Sequence, residues 1–104
     1  MIMMAVDADN NKIYFGNNGT WYNSGNPSTG TNGYSYNATN LAGFKYIVSS
    51  NGGVGYDNVD ANFGNGYFGT TAISSEGTNA SGLGKFEYDV PTGFTALCTK
   101  GLNL

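Results

Sequence analysis

Asp57, Asp60, Glu87 and Asp89 are the side chains of this 104-residue sequence best suited to acid–base chemistry. Two carboxylates held at a fixed gap are the basis of glycoside hydrolysis. Nothing in the spacing brings these four together, and Glu87 and Asp89 fall on one side of a single alternating segment. A solvated strand face is the simpler reading. Asp7-Ala8-Asp9-Asn10-Asn11 opens like a calcium loop, but such a loop needs Gly at its sixth place and a bidentate carboxylate at its twelfth. Lys12 and Asn18 stand there instead, so the segment reads as a turn whose Asp and Asn side chains bond their own backbone. The chain has no His, which removes Ser–His and Cys–His nucleophile activation, and no His/Cys cluster for zinc. Gly52-Gly53-Val54-Gly55 lacks the Lys and following helix of a phosphate loop. No enzyme, metal or cofactor is expected.

Recognition is the chemistry left. Trp21, Tyr22, Tyr34 and Tyr36 are the candidate contact residues, because exposed aromatic rings stack on sugars and dominate protein interfaces. For Trp21 a place in the core is the competing reading. Tyr34 and Tyr36 lie in a polar stretch and suit surface contact.

Composition narrows the partners. Four Lys, no Arg and a net charge of −3 leave no cationic stripe for nucleic acid or for an anionic membrane surface. No apolar run approaches the roughly 18 residues of a membrane span. Charged residues are 11% of the chain, and polarity comes mainly from Asn, Ser, Thr and Gly. Eight Tyr, six Phe and one Trp argue against disorder, since aromatics supply large buried area per residue. The single cysteine, Cys98, excludes an intrachain disulfide and reads as a small buried hydrophobe. Met1-Ile2-Met3-Met4 is too short for the apolar part of a leader peptide.

Period-two patterning predicts the elements that must position these residues. Strands are expected at Ile2 to Asp7, Lys12 to Gly16, Thr20 to Asn23, Gly43 to Ser49, Asn58 to Phe63, Lys85 to Val90 and Phe94 to Thr99. In the second, Ile13 and Phe15 share one face and Lys12 and Tyr14 the other. Val59, Ala61 and Phe63 are expected inward, as are Phe86, Tyr88 and Val90, with Lys85, Glu87 and Asp89 toward water. Ser24 to Asn40 and Thr70 to Gly84 read as long loops. Asn18-Gly19, Asn32-Gly33, Asn51-Gly52 and Asn65-Gly66 are turn signals, because both residue types tolerate positive φ. Pro91-Thr92-Gly93 is a corner. No window supports a helix of three turns, since Gly and Asn interrupt every candidate. The fold class is all-β, one domain over residues 1–104.

The order of these pieces resembles a known family. Val6-Asp7-Ala8-Asp9, Lys12-Ile13-Tyr14-Phe15 and Asn18-Gly19-Thr20-Trp21 together resemble the hairpin of SPRY (B30.2-type) domains, which are bent, concanavalin-like antiparallel β-sandwiches. Val59-Asp60-Ala61-Asn62-Phe63-Gly64 looks like a later strand of that fold. Pro91-Thr92-Gly93-Phe94-Thr95-Ala96-Leu97-Cys98 looks like the ending found in SPRY-like modules of structural proteins of marine tailed bacteriophages. The resemblance implies a sandwich lacking its N-terminal strands, hence the C-terminal portion of the full domain or part of a longer chain. It implies a non-enzymatic structural module at the virion surface, in a capsid decoration or tail-fibre protein. Its partners would be copies of itself or other virion proteins, joined by strand or edge pairing. A lectin-like module that binds a host surface glycan through the four aromatics is the alternative.

Overall fold

The computed structural model describes residues 1–37 and 59–98. Their architecture is antiparallel β, with two short 3₁₀ turns and no α-helix among the described residues. β1 (Ile2–Asp7) and β2 (Lys12–Asn17) form the spine, paired from Ile2 with Asn17 through to Asp7 with Lys12. The turn between them closes on Asp7, whose carboxylate accepts the Asn10 N–H at 3.1 Å and the Asn10 side-chain amide at 2.8 Å. At the other end, Asn18 (φ 47°) and Gly19 (φ 86°) reverse the chain in two residues, as a primed hairpin turn requires. β3 (Thr20–Trp21) then pairs back onto Gly16 and Asn17.

β3 is shorter than the expected Thr20 to Asn23. Asn23 and Ser24 take positive φ, and the chain coils into a 3₁₀ turn at Tyr22–Ser24. The following stretch is more ordered than a loop. Pro27–Thr29 forms a second 3₁₀ turn, bracketed by reciprocal Asn26–Thr31 backbone hydrogen bonds of 2.9 and 3.1 Å. β4 (Tyr34–Ser35) then pairs with Ile13 and Lys12, beyond β3 on the same side of β2. Among the described residues β1 is therefore an edge strand along its whole length.

The core sits on one face of this sheet. Tyr14 is 2% exposed and Ala5 7%. Gly16, on the same face, is buried because Met3 and Trp21 press on it: a Cβ there would lie 2.8 Å from the Met3 methyl and 3.1 Å from the Trp21 ring. Trp21 meets Tyr14 edge-on, with ring centroids 6.4 Å apart and planes at 77°. The 25–33 segment folds across this face. Pro27 is buried, Gly25 and Gly33 lie on the Tyr14 ring, and Lys12 Nζ donates to the Gly30 carbonyl at 2.7 Å.

The second lobe, residues 59–98, departs most from expectation. Val59 and Phe63 are exposed and 59–63 forms no strand, although Val59, Ala61 and Phe63 alternate. Lys85 to Val90 forms no ladder with any described residue either. Lys85 makes one bridge to Asn65, while Gly77 N–H donates to the Phe86 carbonyl and Val90 N–H to the Thr78 carbonyl, at 2.9 and 2.8 Å. Phe86, Tyr88 and Val90 are half-buried, and so is Glu87. The described part of the expected Phe94 to Thr99 strand is irregular, as is the chain through Ala96, which is 2% exposed. A hairpin forms instead at β5 (Tyr67–Phe68) and β6 (Thr71–Ala72), across Gly69 and Thr70. The corner is present: Phe94 N–H donates to the Pro91 carbonyl at 3.0 Å, with Gly93 at φ 90°. The Gly43 to Ser49 strand, Asn51-Gly52 and Asp57 lie outside the described residues.

Asn side chains replace strand ladders in this lobe. Asn62 accepts from Gly64 N–H (2.7 Å) and Gly66 N–H (3.3 Å) and donates to the Lys85 carbonyl (2.9 Å). Asn79 donates to the Leu83 and Gly84 carbonyls at 2.7 and 2.9 Å and accepts from Ser81. Backbone polar groups must be satisfied somewhere, and short amide side chains do so where the chain turns too often to pair.

Candidate functional site

Both faces of the two long strands carry apolar side chains, and among the described residues only one face is covered. Ile2, Met4 and Val6 of β1 alternate away from the core and are 69%, 40% and 47% exposed. Met4 stands directly across from Phe15 and Val6 across from Ile13, and Ile13 across from Tyr34. The Phe15 and Tyr34 rings meet at 6.3 Å, tilted by 50°. The six side chains form one contiguous outer patch with no charged side chain in it; at its Ile2 end the Met1 ammonium donates to Oδ1 of Asn17, the residue across from Ile2, at 3.2 Å and to Oδ1 of Asn18 at 2.6 Å. The charged residues of these strands, Asp7 and Lys12, oppose each other on the inner face. This inverts the usual arrangement of a half-solvated sheet.

The β1 edge adjoins this patch. The Met1 carbonyl accepts the Asn18 N–H at 2.9 Å. Hydrogen-bonded and non-bonded pairs alternate along an antiparallel ladder, so Met3, Ala5 and Asp7 bond to β2. The N–H and C=O groups of Ile2, Met4 and Val6 point to the free side, where no strand pairs with them among the described residues. The edge carries no Lys and no Pro, two of the devices that usually blunt one, and its one charged side chain, Asp7, stands at the far end on the inner face.

A cleft of about 480 Å³ separates the lobes, lined by Met3, Trp21, Ser28, Glu87, Tyr88 and Asp89 among others. The Tyr88 ring lies against Gly19, and Thr92 N–H donates to Ser28 Oγ at 2.9 Å, joining the two sides. Both carboxylates here are engaged. Glu87 bonds the Ser74 hydroxyl and, at 3.3 Å, the Ser74 N–H. Asp89 accepts the Thr78 N–H at 2.7 Å, and that bond, with the Thr78 hydroxyl, holds its carboxyl below the usual aspartate range. Asp7 is likewise lowered, first by the Asn10 side chain and then by the Asn10 N–H. Asp60 lies apart from both cleft carboxylates in its contacts, beside Gly69. Among the described residues no three His, Cys, Asp or Glu side chains gather as a metal site would need, and no helix is long and apolar enough to cross a membrane.

The four candidate aromatics do not converge. Trp21 points inward onto Tyr14 and lines the cleft. Tyr22 is exposed on the 3₁₀ turn. Tyr34 belongs to the outer patch, on the opposite face of the sheet from Trp21. Tyr36 is half-buried just past β4, its N–H donating to the Asn11 carbonyl at 3.0 Å. Ile2, Met4, Val6, Ile13 and Phe15 were not among the candidates. Their signal is visible in Ile2-Met3-Met4-Ala5-Val6, an unbroken apolar run of the kind that strands buried on both faces carry.

Comparison with protein-family models, with curated proteins and with solved structures gives no match for this chain.

Proposed function

We propose that this chain is a non-enzymatic structural module of a bacteriophage virion, in a capsid decoration or tail-fibre protein. In this reading it is a SPRY-like β-sandwich that joins neighbours and displays polar loops at the particle surface. The motif order from Val6 to Trp21 and from Pro91 to Cys98 supports the family reading. The observation that carries the assembly role is the β1 edge, which is open among the described residues and has no Lys or Pro along it. Three residues there present backbone donors and acceptors outward, and strand addition from a copy of the chain or another virion protein would satisfy them.

The test is mass spectrometry of density-banded particles of the virus that encodes the chain. Its peptides in the particles, released by protease without opening the capsid, are the expected result. Peptides confined to the soluble lysate would overturn the reading. Substituting Met4→Pro removes an outward-facing N–H and no ladder bond, so incorporation through this edge should fall while the β1–β2 hairpin persists.

A second reading, host-glycan binding, is favoured by the cleft alone, where Trp21 and Tyr88 accompany several hydroxyls and carboxylates. It would use Trp21 but not Tyr34. Because Trp21 is the one tryptophan, a shift of its fluorescence on adding a saccharide reports that cleft directly.

A further inference from the structure

We infer that the outer sheet face, Ile2, Met4, Val6, Ile13, Phe15 and Tyr34, is covered by the same face of a second copy of this chain, the two sheets stacking into a sandwich across a two-fold axis. The inference rests on the assembly reading and names the partner of a surface adjoining the edge described there. The exposed side chains amount to roughly 500 Å² of apolar surface, at the upper end of what a monomer leaves open. Two such faces together bury about 1,000 Å², the level at which a specific interface becomes credible, whereas edge pairing alone would leave the whole patch in water.

Charge favours a copy over a charged partner. The chain carries a net charge of −3, yet the patch holds no charged side chain, and Asp7 and Lys12 both lie on the opposite face. The one charge beside the patch is the Met1 ammonium at its Ile2 end, so a two-fold axis that sets the two Ile2 ends apart brings no like charges together. Geometry agrees, because aligned sheets pack about 10 Å apart through side chains that interdigitate. The rows Ile2–Met4–Val6 and Ile13–Phe15 lie side by side on this face and offer two adjacent lines of side chains to interdigitate.

The experiment is sedimentation equilibrium of the full chain up to about 200 µM, where an interface of this size should show as a dimer. Ile2→Lys and Phe15→Lys place a charge in the patch. Ala80→Lys makes the same charge change on the other lobe, and Met4→Pro blocks the edge while also taking one apolar side chain from the patch without adding a charge. Circular dichroism checks each fold, and Ile2, the most exposed of the six, is the variant least able to disturb the monomer. The expected result is a mass twice 10.9 kDa for the wild type and Ala80→Lys, with association weakened at least tenfold in Ile2→Lys and Phe15→Lys. A wild type that stays monomeric throughout overturns the inference, and the patch then belongs to another chain or another part of this one. A dimer that survives both patch variants but not Met4→Pro also overturns it, leaving the edge-assembly reading in place. That reading fails separately, by the particle analysis.

Discussion

The ring of Tyr14 occupies the space in which residue 33 would carry a side chain. A Cβ on Gly33 would lie 2.6 Å from the ring Cζ and 2.9 Å from the phenol oxygen. The backbone at Gly33 is not in the left-handed region, so its need for glycine is one of space. This contact seals the inner face, because the segment that ends at Gly33 is what covers Tyr14.

Gly33→Ala should therefore destabilise the chain by about 1–3 kcal/mol, the usual cost of overpacking a tight site. Urea unfolding followed by circular dichroism measures it. An unchanged midpoint would mean that the 25–33 segment can lift off Tyr14 freely.

Tyr14→Phe should be neutral or stabilising by up to about 1 kcal/mol. The phenol oxygen is buried without a hydrogen-bond partner among the described residues, and losing an unpaired polar group removes a desolvation cost. Tyr14→Ala, in contrast, should cost about 3–5 kcal/mol through the cavity it opens. The same unfolding assay separates the two, and a clear loss in Tyr14→Phe would show that the hydroxyl is bonded.

Asn62→Ala should cost about 1–3 kcal/mol, since it leaves two backbone donors and one carbonyl without their partner. Amide exchange should accelerate first at Gly64 and Gly66. Faster exchange spread evenly over both lobes would argue instead for a global effect.

Acid should weaken the fold through Asp7 and Asp89. Both have folded pKa values below the ordinary 3.8, so the charged forms are favoured by folding. Their contribution is complete above the unfolded value and is lost as pH falls through the folded values. Melting temperature should therefore drop below about pH 4, and Asp7→Asn should flatten that drop. Both groups are solvent-exposed and the effect is screened, so added salt should reduce the Lys12 part of it. A melting temperature that is flat from pH 5 to pH 2 would remove this account.

Local chemistry made the first half of the spine legible without coordinates. The Ile2–Asp7 strand matches its predicted bounds, and β2 extends one residue past them, to Asn17. Asn18, Gly19, Asn32 and Gly66 take the positive φ that their residue types suggest, and Pro91 to Phe94 turns as its Pro-Thr-Gly order implies. These features depend on a few consecutive residues and their steric maps. That the described residues hold no α-helix followed in the same way, from glycine and asparagine that interrupt any helical run.

Pairing was decided elsewhere. Phe86, Tyr88 and Val90 alternate as cleanly as any strand, yet Lys85 to Val90 forms no ladder among the described residues, while plain Tyr34–Ser35 pairs with β2. A strand exists only where a neighbour offers a matching edge, and that neighbour is distant in sequence, so alternation alone cannot select it. The same distance effect split the aromatic candidates. Trp21 and Tyr34 sit at opposite ends of β2 and, through the period of two, on opposite faces. Which face of Ile2-Met3-Met4-Ala5-Val6 would be covered was open in the residues, because both are apolar. The 25–33 segment settled it by folding onto Tyr14, the residue across from Ala5, leaving Ile2, Met4 and Val6 outward.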